Sequence, residues 1–313
     1  MTRHILAWIV LATVAFGLPR QAFLTQWKAS KSGDTHFTIT FDSGTPPATV
    51  VLGVGGTYAG PASTETTAEY DGGDGVWTGY TSNTITLNGS YLKFRGDWRD
   101  AVGTYMNMFY QSFASAAYTC RISGTLAYAA TTASAYQSFF RANSTIMTLV
   151  DNPLQPITGS PAAFMFFLTF QNANFTGTLP AGTLNTSGLT GSPAAYMFAY
   201  TFQNANFTGT LPAGTLDTSG LTGSPESSMF IFTFSNSAFT GGNLTIGSGI
   251  ALTSANVVNP FNSMFSGASD WTGQVYWGVT LLTTAIPIPD SDINTFAGCV
   301  NMPGYAGINA NWK

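Results

Sequence analysis

Apolar positions along this chain follow two rhythms. From Thr35 to about Trp98 they alternate. HFTITF (His36 to Phe41), ATVVLGV (Ala48 to Val54) and NTITLNGSYLKF (Asn83 to Phe94) place an apolar residue at every second position, between Gly, Pro and Asn. Period two with Thr, Val, Ile and Phe predicts strands, and hence a small antiparallel β domain over residues 33–100. Beyond residue 101 the spacing changes. Phe166 with Phe170, Phe198 with Phe202, and Phe230 with Phe234 lie four apart, which predicts one face of a short helix. Ser160-Pro161, Ser192-Pro193 and Ser224-Pro225 precede these runs. A Ser at N-cap and a Pro at the first helical position form a helix start, because the hydroxyl takes an orphan N–H and Pro has none to waste. After the run, Phe207 to Leu211 reads as a short strand stopped by Pro212. A Gly/Thr/Ser connector follows, anchored by Leu216 and Leu221.

These elements recur. SPAAFMFFLTFQNANFTGTLPAGTLNTSGLTG (Ser160 to Gly191) is followed at once by SPAAYMFAYTFQNANFTGTLPAGTLDTSGLTG (Ser192 to Gly223), a period of 192 − 160 = 32. Unit starts fall at 160, 192, 224 and 259, marked by Met165-Phe166, Met197-Phe198, Met229-Phe230 and Met264-Phe265, with degenerate copies before and after. Tandem copies of this length stack, and each buries the apolar face of the next. The expected fold is therefore α/β: a right-handed, leucine-rich-repeat-like solenoid over residues 101–313, with one short helix and one short strand per unit, behind the β domain. The Met/Phe stripe is expected in the core. The paired asparagines of QNAN are expected to ladder along the stack by bonding free backbone groups of the turn, a structural reading preferred to a sugar-binding one because Asn in turns bonds locally.

The run MFxxTFxNxxFTGTLPxGTLDTSGLTGSPxxYMF resembles the BspA-like leucine-rich repeats of bacterial surface proteins and the related mycoplasma surface repeat. The resemblance rests on Met197-Phe198, Phe202 to Asn204, and Asp217-Thr218-Ser219 leading to Met229-Phe230. It implies a secreted or surface-exposed protein used in adhesion and recognition. The family has no catalytic residues to carry over.

Residues 1–22 stand apart. Arg3 and His4 precede an apolar run from Ile5 to Leu18, broken by Pro19. The run is shorter than the ~20 residues of a spanning helix and fits a secretory signal. If residues 5–18 are retained, they form an anchor or an assembly helix and the one route to a membrane.

Charged residues make up only 8% of the chain, and no Lys or Arg lies between Arg141 and Lys313. That argues against nucleic acid, because phosphate binding needs a basic surface. It favours self-association, since little charge holds copies apart. Cys120 and Cys299 are expected as free, mostly buried thiols. His4 and His36 are the whole histidine complement, so neither a Ser–His–Asp site nor a metal–His site is expected. Asp290, Asp292 and Asn294 carry the D-x-D-x-N spacing of calcium loops without the Gly and distant Glu of a full one, and ordinary turn roles are the simpler reading. No other cofactor is indicated. Asp97, Arg99 and Asp100 are expected to form a junction salt-bridge cluster.

The leading functional expectation is a non-enzymatic, extracellular or cell-surface repeat protein acting in adhesion, recognition or assembly, with another protein or a glycan as partner. One alternative is a structural subunit of a virion or filament (spike, fibre or tube). Another is a carbohydrate-binding module using Trp77, Trp271 and Trp277.

Overall fold

The computed structural model describes residues 36–62, 67–70, 76–78, 83–87, 89–154, 157–246, 260–277, 280–282 and 294–313. The alternating segments form strands as expected: β1 (His36–Gly44), β2 (Thr49–Val51), β3 (Thr67–Tyr70), β4 (Val76–Thr78), β5 (Thr84–Thr86) and β6 (Tyr91–Arg95). Two more strands follow, β7 (Tyr118–Gly124) and β8 (Ile146–Leu149). They build a six-stranded sheet in the order β4-β3-β6-β1-β7-β8, with β2 and β5 paired separately. Alternation in β1 buries Phe37, Ile39 and Phe41 on one face.

Strand β7 is where the architecture turns over. It pairs antiparallel with β1 but parallel with β8. From there each coil adds one parallel step: Met147 bridges Phe175, then Thr208 N–H donates to Gly177 O at 2.8 Å and Thr240 N–H to Gly209 O at 2.9 Å. A second line of contact runs through β9 (Thr158–Gly159) and β10 (Gly188–Leu189), which pair in parallel, and on through the Gly191–Leu221 bridge. Towards the end, β11 (Leu244–Ile246) pairs in parallel with β12 (Val275–Trp277), which pairs antiparallel with β13 (Thr280–Leu281). The front β module and the repeats share one continuous apolar core.

The third line of contact overturns the expected α/β class. No helix forms after the Ser-Pro pairs, and among the described residues no helix reaches seven residues. Residues 164–173 instead make a ribbon of consecutive turns. The N–H groups of Phe167, Thr169, Gln171 and Ala173 donate to the carbonyls three residues back, at 3.1–3.3 Å. The alternate N–H groups, of Phe164, Phe166, Leu168, Phe170 and Asn172, donate to Ala195, Met197, Ala199, Thr201 and Gln203 of the next coil, at 2.9–3.2 Å. An α-helix sends every N–H back four residues within itself. Here half of them tie the coil to its neighbour. What enforces the pattern is a left-handed residue at every fourth position: Phe164, Leu168 and Asn172; Tyr196, Tyr200 and Asn204; Ser228, Phe232 and Asn236. A single such residue ends a helix, so three in a row forbid one.

Along the ribbon two fully buried residues alternate with two that are less so, of which Leu168 and Gln171 are still largely buried. Met165, Phe166, Thr169, Phe170 and Ala173 are fully buried, while Phe167 and Asn172 face out. The inward rings form two ladders. Tyr136, Phe166, Phe198, Phe230 and Phe261 stack at 5.3–5.7 Å. Phe109, Phe140, Phe170, Phe202, Phe234, Phe265 and Phe296 stack at 4.9–5.8 Å. Each such pair contributes about 0.5–1.5 kcal/mol beyond the burial of its area.

Both ends of the ribbon are covered. At the first coil, Gly53 and Val54 N–H donate to Met108 and Tyr110 O, and Phe37 stacks on Phe109 at 5.4 Å. At the last, Phe296 N–H donates to Trp312 O, and the buried Trp312 ring lies against Phe261 and Phe296. The expected junction salt-bridge cluster forms only in part, as an Asp97–Arg99 pair that Asp100 does not join. Arg99 grips Asp97 with two nitrogens at 2.6 and 2.8 Å and donates to Ala129 O, while Asp100 accepts from the N–H groups of Val102 and Thr104. Burial pushes the Asp97 carboxyl up, but the Arg99 hydrogen bonds and charge outweigh it and hold the carboxyl below its ordinary value.

Candidate interaction surface

The outward half of the ribbon carries two adjoining features. The first is a set of amide ladders. Asn236 Nδ2 donates to Asn204 Oδ1 at 3.1 Å, and Asn204 Nδ2 to Asn172 Oδ1 at 2.7 Å; Asn206 Nδ2 donates to Asn174 Oδ1 at 3.0 Å. Beside them Arg141 Nε donates to Gln171 Oε1 at 2.8 Å, and Gln171 Nε2 to Gln203 Oε1 at 2.5 Å. A guanidinium can only donate, so Arg141 fixes which end of each Gln amide faces which neighbour. The QNAN asparagines thus ladder along the stack chiefly by bonding each other rather than the free backbone groups expected, with Asn174 Nδ2 to Ser144 O as the backbone exception. Gly267 ends the Asn ladder: a Cβ there would sit 1.9 Å from Asn236 Oδ1.

The second feature is aromatic. Phe164 stacks on Tyr196 at 5.1 Å, and Tyr200 on Phe232 at 5.1 Å; Phe167 meets Tyr200 edge-on at 5.7 Å. All are partly exposed, as is Ile231. Sequence reasoning missed this patch by assigning the apolar residues of the run to the core. A signal was available. The two near-identical copies differ at four positions, and three of those (Phe164/Tyr196, Phe167/Ala199, Leu168/Tyr200) fall on ribbon positions between the inward ladders, where Leu168 and Ala199 are themselves buried. Those positions vary while the inward ladders stay fixed.

The predicted repeat residues sit as follows. Met165, Phe166, Phe170, Met197, Phe198, Phe202, Met229, Phe230, Phe234, Met264 and Phe265 are all buried in the ladders and beside them. Pro161, Pro193 and Pro225 precede turns rather than helices, and Ser160 and Ser192 are exposed. Trp271 offers no face to a sugar: it is fully buried against Phe265 and Phe234. The backbone places Trp77 on β4, at the sheet edge, and Trp277 on β12. Asp290 and Asp292 lie outside the described residues, as do residues 1–22; Asn294 is an exposed left-handed turn residue opening the last ribbon. Among the described residues no group of three or more His, Cys, Asp or Glu is placed to hold a metal ion, and no helix is long and apolar enough to cross a membrane. Cys120 and Cys299 are free and buried, and burial pushes both thiols up to about 12.

No protein-family model, curated protein or solved structure matches this chain, so the ribbon, its ladders and its outward patch carry the functional argument.

Proposed function

We propose that this chain is a non-enzymatic, secreted or surface-exposed repeat protein that works through the outward face of its turn ribbon, in adhesion, recognition or extracellular assembly. The observation that carries the reading is the joint presence, on one face, of amide ladders and a partly exposed aromatic patch, with no cation between Arg141 and Lys313. A rigid face of this kind suits a broad, uncharged contact. Every ladder residue is already positioned by its neighbour, so little side-chain freedom is lost on binding. The signal-like character of residues 1–22 supports export.

The carbohydrate alternative is less well supported. Trp271 is in the core, and outward rings such as Phe164 and Tyr196 lie face to face with each other. Sugars pack on ring faces, and in the Phe164–Tyr196 stack one face of each ring is already taken by the other.

The test is binding of fluorescently labelled full-length protein to intact cells and to a glycan array, beside light scattering of the protein alone. Attachment to cells or self-association, lost when outward-face residues are exchanged, is the expected result. An absence of all three kinds of binding at micromolar concentration would sink the reading.

A further inference from the structure

Asn-X-Ser/Thr triplets lie along the chain at Asn88, Asn143, Asn174, Asn185, Asn206 and Asn243. Each is an acceptor signal for N-linked sugar when the asparagine amide ends on the surface of an exported chain. Asn88 lies outside the described residues. The fold sorts the others by what their Nδ2 nitrogens already do.

Three of these nitrogens are committed. Asn143 is fully buried, and its Nδ2 donates to both Phe109 and Phe140 O. Asn174 Nδ2 donates to Ser144 O at 3.2 Å, and Asn206 Nδ2 to Asn174 Oδ1 at 3.0 Å. A sugar at Asn143 has neither a free hydrogen to replace nor room to stand. A sugar at Asn174 or Asn206 would crowd the neighbouring coil at the bond that joins the two.

Asn185 and Asn243 are different. Each bonds through Oδ1 alone, and neither Nδ2 has an acceptor among the described residues. Asn185 is half-buried beside the exposed Ser187, and its Oδ1 accepts from the Ser187 N–H at 3.1 Å and the Ser187 hydroxyl at 2.7 Å. Asn243 Oδ1 accepts from the Gln274 N–H at 3.1 Å. Asn243 and Thr245 are both exposed, two residues apart at the start of β11, so they share its outward face.

The repeat itself shows that the fold does not need the Asn185 amide. The one difference between the near-identical copies outside the ribbon is Asn185/Asp217. Asp217 Oδ1 accepts from the Ser219 N–H at 2.8 Å, the same turn one coil later. The turn thus asks for an acceptor, which Asp supplies as well as Asn. What Asn185 brings beyond that is the nitrogen a sugar would take.

We propose that Asn185 and Asn243 are sites of N-linked glycosylation, and that Asn143, Asn174 and Asn206 stay bare. In the transfer, Nδ2 bonds to the anomeric carbon of a lipid-linked glycosyl diphosphate. The anomeric C–O bond breaks, the diphosphate leaves with the electron pair, and the amide proton passes to a base of the transferase that holds the donor. Both sites lie off the turn ribbon, on the connector and on β11, so sugar chains there leave the amide ladders uncovered. They also hydrate a chain in which only 8% of residues are charged. The inference rests on the export proposed above.

Full-length protein made in cultured insect cells tests it, once with its own N-terminus and once behind an added export leader. Chymotryptic peptide mapping of the secreted protein should find sugar mass at Asn185 and Asn243, and none at Asn143, Asn174 or Asn206. Ser187→Ala should clear Asn185 and leave Asn243 occupied. Asn185→Asp should do the same with no change in melting temperature, since Asp217 already holds that turn. Secreted protein bare at Asn185 or at Asn243 would overturn the proposal, and so would sugar on a ladder asparagine. Secretion only behind the added leader, with both sites occupied, would overturn export by the chain's own N-terminus and leave the sites standing.

Discussion

Single buried polar side chains do different amounts of structural work here. Thr201 Oγ1 shares its proton between Phe198 O at 2.7 Å and Phe166 O at 3.0 Å, and Thr169 and Thr233 do the same one coil away on each side. Phe198 O also accepts from Thr233 Oγ1 and from the Thr201 N–H, so losing one donor orphans nothing. Thr201→Val is expected to cost about 1 kcal/mol in urea unfolding. Asn143 is another matter. It is fully buried, donates to Phe109 and Phe140 O, and accepts from Phe113 N–H, each at 2.8 Å. Asn143→Ala leaves that N–H unpaired in the core and opens a cavity, so a loss of about 3 kcal/mol or more is expected in the same assay. The two thiols make a pH prediction. Their folded pKa values are raised, so the native state binds protons that the unfolded state gives up. Stability is full below the ordinary thiol value of about 8.5 and falls as pH climbs toward about 12, with the buried Tyr105 and Tyr136, also raised, adding to the loss. At mildly alkaline pH a thiol reagent should leave both cysteines untouched in native protein and modify both in denaturant; rapid native labelling would contradict the burial.

At the scale of elements, the misreading of the ribbon has a clear cause. A helix of 3.6 residues per turn and a chain of four-residue turns both bury positions i, i+1, i+4, i+5 and i+8 across a ten-residue run. Phe166, Phe170 and their neighbours cannot tell the two apart by spacing. What separates them is the backbone at every fourth residue. Asn172, Asn204 and Asn236 advertise left-handed geometry, but Phe164, Leu168 and Tyr200 conceal it. The strands of the front module, the 32-residue period and the buried Met/Phe set were legible, because alternation and repetition survive without knowledge of φ. The outward patch was not, since its residues share the chemistry of the core. Far-UV circular dichroism checks the correction directly: the spectrum should lack the paired minima of helix. Coil spacing has its own test. A Cβ on the buried Gly273 would lie 1.8 Å from Gly242 O of the preceding coil. Gly273→Ala must push two backbones apart and is expected to lower stability by about 3 kcal/mol in thermal or urea unfolding.

The molecule as a whole is a stack whose lateral bonds join equivalent residues, so an entire unit is removable. Deleting Ser192 to Gly223 brings Phe166 to Phe230, Phe170 to Phe234 and Asn172 to Asn236, the same partners at the same positions. The shortened chain should remain soluble and unfold in one cooperative thermal transition; aggregation on expression would show that the units are not interchangeable. The sense of the ribbon's lateral bonds has an electrical consequence. Every one of them runs the same way, N–H pointing to the later coil and C=O to the earlier, from Tyr105 through Gly267. Parallel strands alternate these directions and cancel, but the ribbon does not, so its peptide dipoles add along the stack as they do along a helix axis. Its carbonyl end, at the first coil, is the negative pole. Among the described residues, Lys93, Arg95, Arg99, Arg121 and Arg141 belong to the front module or the first coils, at the pole that attracts cations, and only Lys313 lies at the opposite end, over the Tyr305 ring.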